Sequence, residues 1–447
     1  MSTSASERLA STMNLGVFAK ATELKARLWF VLGALIVYRL GTYIPVPGVD
    51  PHIMAEIYAR NQGGVLGMFN MLSGGALQRM TIFALAVMPY ISASIILQVL
   101  TVAAPSLAAL KKEGEAGRRK INQYTRYGTV LLAAFQGYGI AVGLEGMTGP
   151  HGSAVINPGA FFLFTTTVTL TGGTLFLMWI GEQITARGIG NGISLIIFTG
   201  IIANLPSAIG RTLELGRTGA LSTFGILFII IAVLGLISFI VFIERAQRRI
   251  VIQYPKRQVG NKMFGGESTH MPLKLNTSGV IPPIFASSIL LFPLTIASFH
   301  ASGGGILGAV SAYLAHGQPL YIALYVTLII FFSFFYTSVV FNPAETADNL
   351  KKNGGFIAGI RPGQATAEYL DYVLTRLTAV GAVYIAVVCA APEIFVARYS
   401  VPFQLGGTGL MIVVSVTMDF VTQVQSHLFA HQYEGLIRKA KLKGRLK

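Results

Sequence analysis

Few side chains in this 447-residue chain pair a reactive group with a spacing that could use it. Asp419 lies in an apolar run, with Gln423 and Ser426 on the same helical face. A carboxylate there is costly enough to suggest a proton or ion site, but its place toward one end of the run favours a local ion pair. His427 and His431 stand one helical turn apart, as zinc ligands can, without the glutamate of H-E-x-x-H. An interfacial pair at a membrane end is the simpler reading. The one cysteine, Cys389, excludes a disulfide within the chain and reads as a small core residue. No G-x-x-x-x-G-K-[ST] run occurs, so ATP is not bound through a P-loop. Gly188-Ile-Gly-Asn-Gly192 opens an apolar helix and follows no strand, so it is no dinucleotide fingerprint. Without a paired acid, a Ser/Lys pair or a metal constellation, the expectation is no enzyme, no metal and no cofactor.

What remains is aliphatic. Val87, Ile91, Ile193, Ile197, Ile284 and Ile412 could project inward from four helices at similar depth. Any one of them alone is ordinary core. As a set they would form a constriction that gates by excluding water and holds no charge to bind what passes. A short apolar piece precedes them: Gly64, Val65, Leu66, Gly67, Met68, Phe69, Asn70, Met71, Leu72, Ser73, Gly74, Gly75 and Ala76. A membrane span needs about 20 residues. This piece is too short to cross, so it enters and turns back inside protein, where it can plug the constriction at rest.

The elements that must hold such a waist are membrane helices. Hydrophobic residues make up 53% of the chain, charged residues only 12%, and the mean hydropathy is +0.62. Apolar runs near the spanning length fall at 28–44, 77–101, 124–143, 160–181, 192–209, 222–243, 279–299, 319–341, 373–391 and 408–428. Pro89 sits in the middle of the second run. The expected fold is all-α and polytopic, with ten transmembrane helices in two inverted five-helix halves and a short re-entrant plug helix. Residues 1–27 form a cytoplasmic segment, 28–210 the first half, 211–428 the second, and 429–447 a basic tail.

An internal echo supports two halves. Val87-Met-Pro-Tyr-Ile-Ser-Ala-Ser-Ile-Ile-Leu97 aligns without gaps with Val280-Ile-Pro-Pro-Ile-Phe-Ala-Ser-Ser-Ile-Leu290. Matched, proline-bearing helices in two inverted halves point to a pathway between them. The formal charge of +16 is concentrated on the side of both termini, which is therefore cytoplasmic and faces acidic partners or anionic lipids. Two cytoplasmic loops, 244–278 and 342–372, exceed what a connection needs. In the first, Arg249–Tyr254 and Val259–Phe264 read as a hairpin with a basic tip.

FNMLSGGAL (69–77), MPYISASII (88–96), KKEGEAGRRKINQYTRYG (111–128), GEQITARGIGNGIS (181–194), VIPPIFASSI (280–289), FNPAETADNLKK (341–352) and GIRPG (359–363) closely resemble the SecY family. Its members are main subunits of the bacterial protein-conducting channel. The resemblance runs through essentially the whole chain. It implies two clamshell halves hinged between spans five and six, a pore ring at the six aliphatic residues above, and a plug at Gly64–Ala76. It further implies a lateral gate of spans two and three against seven and eight, carrying Ser92, Gln98, Asn276 and Phe292. Lys256, Arg257 and Arg361 match surfaces that meet the ribosome or the SecA ATPase. SecE is implied as a clamp, SecG as an accessory, secretory and membrane polypeptides as substrates, and the bacterial plasma membrane as the location. The competing reading is an ion-coupled transporter with Asp419 as its coupling group.

Overall fold

The computed structural model describes residues 22–60, 70, 73–149, 152–219, 222–254, 257–259, 262–264, 268–299, 318–399 and 406–444. The chain is built of helices set at membrane length. α1 (Thr22–Gly41) carries Glu23 in its first turn and Arg39 in its last, each complementary to the helix dipole. α2 (Pro51–Arg60) starts on a proline, and the Asp50 carboxylate accepts from the His52 N–H at 2.8 Å. α3 (Met88–Ala103) bends by 102° into α4 (Pro105–Lys112), because Pro105 cannot continue the helix before it. α5 (Glu115–Glu145) leads through a small hairpin, β1 (Thr148–Gly149) and β2 (Gly152–Ser153), to α6 (Ala160–Arg187).

α6 shows how a polar sequence survives in a membrane. Its hydroxyls at Thr165, Thr167, Thr171, Thr174 and Thr185 each donate to the carbonyl four residues back. α7 (Gly192–Arg217) is capped by the Asn191 side chain, and α8 (Thr223–Arg245) by Ser222. α9 (Ile281–Phe299), α10 (Pro319–Val340) and the short α11 (Pro343–Lys352) follow, then the long α12 (Gln364–Tyr399) and α13 (Gly407–Gly444).

The ten apolar runs fall on α1, α3, α5 to α10, α12 and α13. Among the described residues, seven of these helices are long and apolar enough to cross a membrane, or eight with the bent α3–α4 pair as one span. In the first half α5 packs on α3 and α6, with α1 and α7 against α6. In the second, α10 packs on α9 and α12, with α13 against α8 and α12. The halves meet where α7 and α1 touch α13 and where α9 touches α3 and α5.

Two expectations need correcting. Pro89 does not interrupt a span begun at 77. Residues 73–87 form successive turns, and the helix starts at Met88 with the proline in its first turn, where its missing N–H leaves nothing unsatisfied. The hairpin expected in loop 244–278 also pairs differently. β3 (Gln247–Gln253) pairs with β6 (Ser268–Lys274) and with β7 (Phe356–Ile357), while β4 (Arg257–Val259) and β5 (Lys262–Phe264) pair with each other. Alternation decides this register: Ile250, Leu273 and Ile357 bury one face of the sheet on Leu370, Val373 and Leu374 of α12. α13 itself runs on past the last apolar run to Gly444.

Candidate functional site

Where α3, α7, α9 and α13 converge, aliphatic side chains close around a void of about 10 Å³. Its lining is Ala86, Val87, Met88, Ile91, Ile197, Ile284, Ser287, Thr408 and Ile412. Val87 is 2% exposed, Ile91 6%, Ile197 4% and Ile412 1%, while Ile284 is half-buried. A void needs roughly 10–15 Å³ and two or more polar partners to hold a water. This one sits at the lower bound of that room, and the two hydroxyls among its lining residues are already bonded. The Ser287 hydroxyl donates to the Ile284 carbonyl at 2.9 Å, and Thr408 shares a 2.6 Å hydrogen bond with Tyr325. Among the described residues no charged side chain lines it.

Local sequence explains the convergence. Val87 and Ile91 are four residues apart at the start of α3 and share a face. Glycines let neighbouring helices bring the ring inward: a Cβ on Gly407 would lie 2.1 Å from the Val388 carbonyl oxygen, seating α13 on α12. Ile193 stands apart from the other five. It lines no part of the void, and its Cδ1 lies 2.5 Å from where a Gly181 Cβ would be. The first turn of α7 touches α6 backbone to backbone at Gly181 and Gly192, and Ile193 is absorbed in that contact.

Of the plug stretch, 64–69, 71 and 72 lie outside the described residues. Asn70, Ser73 and Ala76 are buried, and the Asn70 side-chain oxygen accepts from the Gln78 N–H at 2.8 Å. The gate residues divide. Ser92 and Gln98 are half-buried on α3, where the Gln98 amide donates to Ser94 at 3.3 Å. Asn276 turns elsewhere: its amide donates to Glu244 at 2.7 Å and to the Gly279 carbonyl, and accepts from Ser278 and the Gly279 N–H. That ties the approach of α9 to the end of α8. Phe292 lies in α9, and its side chain lies outside the described residues. Lys256 lies outside them as well. Arg257 opens β4 at the hairpin tip, and Arg361 is exposed just beyond β7, with its carbonyl accepting from Thr366 at 2.8 Å.

Asp419 pairs with Lys274 of β6 at 3.8 Å, with both side chains largely exposed. His427 is exposed on α13, His431 has no described side chain, and no metal-holding cluster occurs among the described residues. Cys389 is buried on α12. Two contacts had no clear sequence signal: the Tyr325–Thr408 bond at the ring, and Gln423 of α13 accepting from the Gly190 N–H at 2.8 Å across the halves.

Comparison with known proteins bears on this arrangement. The SecY family model matches residues 81–421. The chain is 58% identical over 421 residues to the protein translocase subunit SecY of Rickettsia conorii, covering 94% of this chain and 97% of that one. Among solved structures it resembles one described as a protein conducting channel, at TM-score 0.66 and 17% identity over 91% of this chain and 92% of that one. Sec61 in the canine ribosome-channel complex from the endoplasmic reticulum is similar at TM-score 0.62 and 16% identity, over 91% of this chain and 92% of that one. At those identities the likeness to the solved structures is one of fold.

Proposed function

This chain belongs to the SecY family, whose members are protein translocase subunits, and from that premise we propose how its own residues seal and open the path. It is a multi-pass membrane protein and the central pore of a translocon, passing polypeptides through the meeting place of its two halves. Val87, Ile91, Ile197, Ile284 and Ile412 form the closed seal. A ring of this kind excludes water because hydrating it costs free energy, and it deforms around a chain of any sequence because it offers no fixed binding group. Ile193 stays outside the closed seal. The observation that carries the reading is the narrow void, about 10 Å³, closed by five aliphatic side chains drawn from both halves.

The remaining parts follow from the same reading. Gly64–Ala76 acts as the plug. Apolar segments leave between α3 and α5 on one side and α9 and α10 on the other, past Ser92, Gln98 and Phe292, while Asn276 braces the approach of α9. The driving force comes from a ribosome or the SecA motor docked on loops 244–278 and 342–372, through Lys256, Arg257 and Arg361. SecE clamps the halves and SecG assists. The domains are the cytoplasmic segment 1–27, the halves 28–210 and 211–428, and the tail 429–447. Both termini lie in the cytoplasm of a bacterial cell, as the one-sided placement of Lys and Arg favours.

The test is crosslinking of a stalled secretory chain to cysteines placed one at a time at Ile91, Ile197 and Ile412. Cys389 is buried and gives a quiet background. Adducts at all three positions are expected; adducts absent from all three, with controls on the lipid face reacting instead, would remove the seal from the path. Arg361→Glu should slow motor-driven transport without ion leak, and unchanged motor-driven transport would take Arg361 out of the docking surface.

A further inference from the structure

Arg39 reads from sequence as a cation snorkelling at the outer end of the first span. Its contacts show a different role. Its Nη1 donates to the Gly74 carbonyl at 2.6 Å, and the adjacent Tyr38, 1% exposed, donates its hydroxyl to the Ser73 carbonyl at 3.3 Å. Two consecutive residues of α1 thus hold two consecutive carbonyls of one turn. The other wall of the turn is α7: a Cβ on Gly74 would lie 3.0 Å from Gly200 Cα and 3.0 Å from the Tyr38 hydroxyl. Gly74 and Gly75 both have positive φ, 68° and 85°, which only glycine adopts without strain. Inside the turn the Ser73 hydroxyl accepts from the Leu77 N–H at 3.3 Å.

From this turn the chain runs to the seal along a pinned path. The Val46 N–H donates to Met80, and the Ile82 N–H to Ile44, at 2.9 and 3.0 Å. The Phe83 ring fills space that Gly41 leaves open in α1. Met80 and Ala86 are held at φ 44° and 49°. Non-glycine residues persist there only where their surroundings over-determine the backbone. Val87 comes directly after the second of them.

We infer that Arg39, with Tyr38, is a positioning residue of the resting seal. It clamps the Ser73–Gly74 turn between α1 and α7 and so sets the depth at which Val87 and Ile91 meet Ile197, Ile284 and Ile412. The inference rests on those five residues being the seal. An arginine suits this role, because its planar fork reaches the Gly74 carbonyl and also the Tyr43 hydroxyl at 3.3 Å, which fixes its direction. Losing this charge-assisted bond leaves the carbonyl of buried Gly74 without its cationic donor.

The experiment measures resting ion current through the full-length chain in its assembled complex, reconstituted in planar bilayers. Arg39→Met and Gly74→Ala should each raise the resting current about tenfold, as loss of one such bond shifts a closed population. Arg39→Lys keeps a charged donor and should restore most of the seal. Ile284→Asn is the reference for the seal itself. A silent Arg39→Met channel beside a leaking Ile284→Asn channel would overturn the clamp and leave the seal standing. Equal leak from Arg39→Met and Arg39→Lys would also overturn it, since bulk and not the donor would then matter. If Ile284→Asn were silent too, the seal reading would fall and the clamp with it. Should Arg39→Met not assemble, Tyr38→Phe removes only the hydroxyl bonded to Ser73; leak there supports the clamp, and silence overturns it.

Discussion

Val87–Leu97 and Val280–Leu290 share seven of their eleven residues and stand in two mechanical settings. Both turn helical at their second residue, Met88 and Ile281, with Pro89 and Pro282 in the first turn. Both present an isoleucine, Ile91 and Ile284, to the same void. Their approaches differ. The one to α3 is packed shut, with Val87 and Ile91 at 2% and 6% exposure and Phe83 wedged against Gly41. The one to α9 turns at Gly279, φ 64°, with nothing within 4 Å of a would-be Cβ, and Val280 and Ile284 are only half-buried. It is tied down by the Asn276–Glu244 bond and by the exposed Lys274–Asp419 pair. One wall of the proposed seal is therefore a fixed jamb and the other a leaf on lighter fastenings. A repeated sequence sets where a wall begins, and its neighbours set how firmly it stands.

The largest expected effect tests that contrast at its glycines. A Cβ on Gly173 would lie 2.0 Å from the Ile82 carbonyl oxygen, a backbone atom that cannot swing aside. Gly173→Val should cost about 3 kcal/mol or more and abolish assembled, protease-resistant channel. Gly279→Ala meets open space and should cost only the strain of its positive φ, about 1 kcal/mol. Equal tolerance of the two would erase the distinction between jamb and leaf. A smaller effect compares the isoleucines. Ile91→Asn and Ile284→Asn should both leak in single-channel recordings. Thermal unfolding in detergent should show Ile91→Asn losing about 1–3 kcal/mol, for an amide buried without a partner. Ile284→Asn should lose less, because its half-buried position lets the amide reach solvent or a neighbour.

Legibility follows the range of the forces involved. Span positions are readable because hydropathy acts over about twenty residues and needs no partner. Five of the six residues proposed for the ring line one void, as the echo and the resemblance lead one to expect. Ile193 is held away from that void by the Gly181–Gly192 approach, which involves two helices distant in sequence from α3 and α9, and glycine carries no direction. The start of α3 at Met88 is hidden for a related reason. Residues 77–87 continue the apolar run of the span, but their turns are held by α1 and α6, through Gly41 and Gly173, and by the backbone of Ile44 and Val46. The partner of β3 escapes the sequence because an alternating strand accepts several registers until a surface, here Leu370 and Leu374 of α12, selects one.

The smallest expected effect concerns the lightest fastening, and it also separates a conduit from a coupled carrier. Asp419 meets Lys274 at 3.8 Å, with side-chain exposures of 67% and 63%. Exposed ion pairs contribute about 0–1 kcal/mol, since water screens the attraction and two long side chains lose freedom in making it. Asp419→Asn should therefore leave folding nearly unchanged and secretory transport intact, with at most a slight easing of the α9 side that shows as faster opening. A carrier coupled to protons through this carboxylate would lose transport entirely on the same change. Lys274→Met supplies the control, because it breaks the same pair and keeps the carboxylate. If Lys274→Met transports normally while Asp419→Asn does not, the carboxylate acts by itself, and the lightly tied leaf would have to be redrawn around a titrating group.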